Sequence, residues 1–142
     1  MSTWSFENQM NAIQTVATHL SEWMQQTGVQ ETVMDIDALG ERVLFRTRAF
    51  YQGRWIDDEV PDLIVREATD ARAAMAQLGG GAWTKGHFAM KADDYRLTTD
   101  FDYDTPPTLD PPYTPEDCAE DLRLHPRRPE TVPAWMQPRS GS

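Results

Sequence analysis

The sequence has little that would fix it in a membrane or cross-link it. Among its 142 residues Cys118 is the only cysteine, so no disulfide can form within the chain, which is typical of a reducing compartment. No stretch approaches the roughly 18 apolar residues of a membrane-spanning helix, and the first residues lack the charge and apolar run of a secretory signal. We therefore expect a cytoplasmic protein that does not interact with membranes.

Positive charge is also scarce. The chain has 13 Lys and Arg residues against 23 Asp and Glu residues, a formal net charge of −10, and its only lysines are Lys85 and Lys91. A negative surface repels phosphate backbones and speeds the approach of basic partners. This balance predicts that the protein does not bind nucleic acid and that a charged partner would be basic.

The residue patterns that most enzymes need are missing. The three histidines, His19, His87 and His125, do not follow a zinc-site spacing, and no nucleotide-binding, metalloprotease or nucleophile-elbow motif occurs. Cys118 follows two carboxylates, which raise the pKa of a thiol and suppress its reactivity. We expect no enzymatic activity, no cofactor and no bound metal, and we expect Cys118 to be structural.

The spacing of apolar residues predicts an α+β fold. A spacing of three to four residues indicates a helix over 6–26 and a second from Pro61 to Leu78, which Gly79 to Gly81 would end. Alternation indicates antiparallel strands. They cover 33–39, 42–51 and 54–56, with a hairpin over 83–103 that turns at 92–94. We expect an antiparallel sheet of meander and hairpins, flanked by the N-terminal helix and the second helix.

The last third of the chain is rich in proline. Nine of the ten prolines lie after Asp104, which excludes regular strands and long helices there. Thr114-Pro115-Glu116-Asp117 has the pattern of a capped helix start, and a short helix would continue over 119–124. Apolar side chains such as Trp135 are costly to leave in water. We expect a single domain over 1–139, in which 106–139 forms a clasp with a short helix, and a flexible end at 140–142.

Two groups of carboxylates are candidate partner-binding residues. Asp100, Asp102 and Asp104 alternate along the last predicted strand, so their side chains point the same way. Such a row is compatible with a solvated face, with a divalent cation or an acid–base pair, and with a surface that docks basic residues.

The second group is Asp57, Asp58 and Glu59, just before the second helix. These carboxylates are candidates for the same docking role, although acidic residues there also stabilise a helix N-terminus. Trp55 lies beside them and is a candidate apolar anchor for a partner.

The motifs between Asp100 and Met136 resemble those that close the sequences of YezG-like antitoxins. A strand ending in Asp100-Phe101-Asp102-Tyr103-Asp104 is followed by a proline-rich spacer and by Tyr113-Thr114-Pro115-Glu116-Asp117. Asp121-Leu122-Arg123-Leu124-His125-Pro126-Arg127-Arg128 and Val132-Pro133-Ala134-Trp135-Met136 complete the series. His125 stands where the family pattern has phenylalanine, and the order of predicted elements upstream is also similar to that of the family.

The resemblance implies an immunity protein, or antitoxin, of a polymorphic toxin system used in competition between bacteria. Such a protein would bind the C-terminal toxin domain of a secreted toxin, commonly a nuclease, and occlude its active site without chemistry of its own. Nuclease domains tend to be basic, so an acidic partner would associate with them quickly. Three alternatives remain open: a toxin of another chemistry, such as NAD degradation or deamination; a secretion chaperone or adaptor; and a small-molecule-binding or enzymatic α+β domain.

Overall fold

The computed structural model describes residues 6–77 and 79–137. The predicted flexible end at 140–142 and Leu78, predicted to end the second helix, lie outside these ranges. The elements along the chain are α1 (Phe6–Thr27), β1 (Glu31–Leu39), β2 (Arg42–Tyr51), β3 (Arg54–Asp57), α2 (Asp62–Met75), β4 (Lys85–Lys91), β5 (Thr98–Asp102) and α3 (Pro115–Leu124), followed by the 3-10 turns Pro129–Thr131 and Ala134–Met136. Within these ranges, none of the helices has the length and apolar composition of a membrane-spanning segment.

The five strands form one antiparallel sheet in the order β3-β2-β1-β4-β5. The two-residue turn between β2 and β3 has positive φ at both Gln52 (50°) and Gly53 (83°), the geometry that matches the twist of a tight hairpin. With the N-terminal helix and the second helix beside it, this sheet confirms the predicted α+β fold.

Both long helices pack on the same face of the sheet and enclose the main core. On α1, Val16, Leu20 and Met24 are fully buried at the predicted helical spacing. Trp83 is the largest fully buried side chain, and its ring stacks on Phe101 with centroids 5.4 Å apart. A Cβ on Gly86 would lie 2.8 Å from the Trp83 ring, so the glycine makes room for the indole. The remaining core residues include Met34, Ile36, Ala68, Ala71, Phe88 and Met90.

A pH-dependent contact joins the two helices. His19 Nδ1 lies 2.7 Å from Glu67 Oε1, and this hydrogen bond, followed by the charge of Glu67, raises the pKa of His19. A histidine with a raised pKa in the folded state contributes stability that is complete below its unfolded pKa and is lost as the pH rises through its folded pKa.

We therefore expect Glu67→Gln to destabilise the protein more at about pH 5.5 than at about pH 8.5. Urea unfolding at the two pH values measures the difference. Glu22→Gln is the matched control, because Glu22 acts on His19 through its charge only and more weakly. Equal losses for Glu67→Gln at both pH values would contradict the assignment.

The proline-rich segment packs against the end of the other sheet face. Cys118, Leu109 and Met136 form a second buried cluster with Leu39 of β1. At the start of α3 the Thr114 side chain accepts a hydrogen bond from Asp117 N, and the Asp117 side chain accepts one from Thr114 N, as the capping pattern predicts.

The guanidinium of Arg127 anchors this segment. Its side chain is 1% exposed and donates to the carbonyl oxygens of Tyr103, Ala82 and Thr131 at 2.5, 3.2 and 3.0 Å. The indole Nε1 of Trp135 donates to Asp104 O at 2.7 Å. The Pro-Arg and Pro-x-Trp motifs therefore hold the segment to the domain.

A buried ion pair joins α2 to α3. Arg72 Nη2 donates to Asp121 Oδ1 at 2.7 Å, and both side chains are almost completely buried. Arg72 Nε also donates to Trp83 O at 2.5 Å, and Asp121 Oδ1 accepts from Gly40 N at 2.9 Å. The pair thus connects α2 and α3 with the β1–β2 turn and with Trp83, which lies just before β4.

The predicted hairpin is wrong in its return strand. β5 covers only Thr98–Asp102, although the alternation had extended it through Tyr95, Leu97 and Tyr103. Asp94 Oδ1 accepts from Arg96 N at 3.0 Å, and Tyr95 has a φ of +52°. This local bond competes with the strand ladder, so the chain turns for longer. The Phe88 and Met90 side chains of β4 do face the core, as predicted.

The predicted end of the second helix is also wrong. α2 ends at Met75, with Ala76 as its C-cap in an extended conformation. Gln77 then pairs with Gly81 across a small turn. The glycines therefore form this turn and do not cap the helix.

Candidate functional site

The sheet face opposite the two helices is open over its centre and carries alternating charges. The strand register places Arg46, Asp35, His87 and Asp100 side by side in one cross-strand row. The adjacent row contains Leu44, Asp37, Lys85 and Asp102. The face therefore presents acids and bases on neighbouring strands.

Most of these charges are paired within the face. His87 Nδ1 lies 2.7 Å from Asp35 Oδ1, and Lys85 Nζ donates to Asp37 Oδ2 at 2.6 Å. The depression between the rows has a volume of about 270 Å³. Arg46 and Asp100, which also line the depression, form no ion pair within the described residues.

The first predicted carboxylate group is divided by the structure. Asp100 and Asp102 share the open face, as predicted, but Asp104 lies beyond the end of β5 and not in the same row. The Asp102 carboxylate accepts from Asp104 N and from Thr105 N, which turns the chain away from the sheet. The hydrogen bond from the Thr105 hydroxyl lowers the pKa of Asp102 most. Asp104 lies 3.4 Å from the Arg127 guanidinium.

The second predicted group remains together. Asp57 ends β3, opposite Arg48 of β2, and Asp58 has a φ of +62° and donates its backbone N–H to Thr47 O at 3.1 Å. The N-cap of α2 is Pro61, and no side chain caps the helix. These carboxylates therefore do not cap the helix by a hydrogen bond, and their predicted alternative role at its N-terminus would act through charge alone.

Four exposed carboxylates lie close together in sequence here: Asp57, Asp58, Glu59 and Asp62. Within the described ranges none of the four forms an ion pair. Their charges thus remain available to a partner.

Trp55, which precedes these carboxylates in the sequence, adds an exposed apolar surface. Its side chain lies on the open sheet face and is 38% exposed. The ring packs edge-on against Phe50 with centroids 5.3 Å apart, and the Arg48 guanidinium lies 4.6 Å from its centroid. These contacts hold the indole in one orientation while leaving part of it accessible. We call Trp55, Asp57, Asp58, Glu59 and Asp62 the acidic anchor.

Two features near the acidic anchor were missed by the sequence analysis. Trp23, Tyr51 and Ile56 line a mostly apolar depression of about 300 Å³, together with Glu59 of the anchor. Val43 and Phe45 of β2 are 39% and 44% exposed, although they lie on the face that the helices cover elsewhere. The alternation over 42–51 carried no signal about how far the helices extend over the sheet.

The described structure also locates the side chains associated with metal binding and thiol chemistry. In the part of the chain that the structure describes, no cluster of three His, Cys, Asp or Glu side chains is placed to hold a metal ion. Cys118 is buried in the second cluster, and its pKa is raised by burial and then by Asp117. Cys118 therefore packs as a small apolar side chain in this cluster.

Comparison with known proteins gave no match, either to a protein-family model or to a curated protein. The candidate site is therefore defined by its geometry and charge alone.

Proposed function

We propose that this protein is an immunity protein that binds the basic C-terminal toxin domain of a secreted polymorphic toxin and occludes its active site. The observation that carries the proposal is the acidic anchor, an exposed and oriented tryptophan followed along the chain by four exposed carboxylates that lack cation partners. Interface hot spots commonly consist of such an aromatic anchor. The resemblance of the 100–136 motifs to YezG-like antitoxins supports the same proposal.

The charges and the tryptophan have separate roles in this mechanism. The net charge of −10 draws a basic domain toward the protein, and the anchor carboxylates orient it. Trp55 then loses its remaining contact with water against the toxin surface, which slows dissociation. Neutralisation is by occlusion, so the protein itself carries out no reaction.

The open sheet face supports this proposal over a small-molecule site. Ligand sites typically enclose about 300–1,000 Å³ and present unpaired polar groups. The central depression, at about 270 Å³, is just below that range, and its Lys85 and His87 are already bound to Asp37 and Asp35. A chaperone or adaptor would instead hold an apolar segment, and its binding would change little with salt.

Recovery of the partner tests the proposal. The tagged protein is incubated with lysate of its host at about 50 mM and about 500 mM salt, and retained proteins are identified by mass spectrometry. We expect a large secreted protein to be retained at low salt and largely released at high salt. The C-terminal domain of that protein, expressed alone, should arrest growth, and co-expression of the immunity protein should restore it.

Two results would count against the proposal. A retained domain that is harmless when expressed alone would refute the immunity role. Retention that is unchanged at high salt would favour the chaperone or adaptor.

A further inference from the structure

The outer edge of β2 is partly unpaired. β3 pairs only with Arg48–Tyr51, so the first half of β2 has no strand on its outer side in the described structure. Thr47 O accepts from Asp58 N, which shows that the Thr47 carbonyl points away from β1. Residues two apart direct their backbone groups to the same side. The N–H and C=O groups of Val43 and Phe45 therefore also point outward.

This edge carries Arg42 and Arg46, but it lacks a bulge and a proline, two other features by which proteins block strand pairing. The β1–β2 register runs without a bulge from Leu39↔Arg42 to Glu31↔Phe50, and no proline interrupts it. The Val43 and Phe45 side chains are exposed apolar groups on this edge. The other edge strand, β5, has only five residues and carries Thr98, Thr99 and Asp100, all exposed. Short, polar edges resist pairing, and longer apolar ones favour it.

The surroundings of the edge indicate the chemistry of the strand that would pair with it. An added strand lies in line with β3, so one of its ends meets the acidic anchor at Asp57 to Glu59. Lys or Arg residues at that end would find unpaired carboxylates. Apolar residues at alternate positions would cover Val43 and Phe45, since side chains on one face of adjacent strands pack together.

A second copy of the chain fits this edge poorly. If two copies paired Val43 with Phe45 through their outward groups, Arg42 of each would lie directly opposite Arg46 of the other. Like charges in that position are destabilising, and each copy also carries a net charge of −10. The charges therefore favour a basic partner.

We infer that the β2 edge at Val43–Phe45 binds an extended, basic-ended segment of the partner as a sixth strand of the sheet. The identity of the partner rests on the proposed function, but the pairing geometry does not. Backbone hydrogen bonds would supply affinity in this mode, and alternate side chains would supply specificity.

Synthetic peptides test the inference without the toxin. One peptide of about nine residues alternates Val and Thr and carries lysines at one end only, and its counterpart has Glu in place of every Lys. Binding is measured by fluorescence anisotropy, and the binding residues are mapped by NMR shifts of the labelled protein. We expect the Lys-ended peptide to bind at least about tenfold more tightly than the Glu-ended one, with shifts at Val43 and Phe45.

Two proline variants locate the pairing. Val43→Pro removes an outward N–H and leaves the ladder to β1 intact, because proline is tolerated at an edge position. Thr99→Pro on β5 is the matched control. The Asp102 carbonyl accepts from Thr84 N and so points toward β4, and since directions alternate along a strand, the N–H of Thr99, three residues earlier, points away from β4. Val43→Pro should weaken peptide binding about tenfold, the effect of one lost hydrogen bond, and Thr99→Pro should not. Phe45→Thr, with the backbone unchanged, should also weaken it.

Several results would overturn the inference. They are equal binding of the two peptides, equal effects of the two proline variants, and shifts confined to residues away from β2. Sedimentation that shows a dimer, converted to a monomer by Val43→Pro, would assign the edge to a second copy. If the peptides do not bind but a toxin domain does, this inference is wrong and the proposed function stands. If the peptides bind but no toxin partner is found, the proposed function is wrong and this inference stands.

Discussion

Replacing Arg72 with methionine is expected to lower the free energy of unfolding by about 3–5 kcal/mol. The change leaves the Asp121 carboxylate buried without its cation and removes the donor to Trp83 O. Burial also lowers the pKa of Arg72 despite the opposing effect of Asp121, a sign of how strongly the site is desolvated. Removing one partner of such a pair costs far more than the pair itself contributes.

A double-mutant cycle separates the contribution of the ion pair to stability from that of the surrounding packing. Arg72→Met, Asp121→Leu and the double variant are compared with the wild type by urea unfolding. We expect the double variant to recover much of the loss, because apolar side chains of similar volume need no counter-charge. If it is as unstable as Arg72→Met alone, the bond to Trp83 O and not the ion pair accounts for the effect.

Arg72→Met should also loosen the attachment of the proline-rich segment to the domain. Asp121 lies on α3 and also accepts from Gly40 N, so the pair helps to hold α3 against the β1–β2 turn. Limited proteolysis of Arg72→Met should therefore cut first between 105 and 137, at denaturant concentrations where the wild type stays intact. Cleavage that begins within the sheet would contradict this order of unfolding.

The elements found from the sequence are those in which local pattern and burial agree. The helical stripe of α1 at Leu20 and Met24 and the alternation of β4 at Phe88 and Met90 follow from one-sided burial. The capped start of α3 was visible because the capping bonds join Thr114 and Asp117, which are only three residues apart in the sequence. Packing of the proline-rich segment followed from the cost of exposing Trp135.

The elements missed depend on contacts that a linear pattern does not contain. The bond from Asp94 to Arg96 shortens β5, although alternation continues through Tyr95. The partners Arg72 and Asp121 are 49 positions apart, so their burial was not visible in the local pattern. Trp55 and its acidic neighbours could be proposed from residue type, but their lack of ion pairs required the positions of every nearby cation.

Trp55→Ala is expected to weaken toxin binding about 30-fold or more, the loss typical of a hot-spot residue. The effect should appear mainly in the dissociation rate, because truncating an anchor removes contacts formed after docking. Stability should change little, since the ring is partly exposed and packs on Phe50 and Arg48 at the open face. Surface plasmon resonance with the purified toxin domain measures both rates.

Neutralising the anchor carboxylates should act mainly on the association rate, whereas Trp55→Ala acts on the dissociation rate. The triple variant Asp57→Asn, Asp58→Asn, Glu59→Gln changes the net charge from −10 to −7, and it should slow association and reduce its dependence on salt. The matched control is Glu7→Gln, Asp70→Asn, Asp93→Asn, which removes the same charge from exposed positions elsewhere. If the two triple variants slow association equally, the overall field steers the partner and the anchor carboxylates have no special part. A larger effect at the anchor, together with faster dissociation for Trp55→Ala, would place the toxin on this surface.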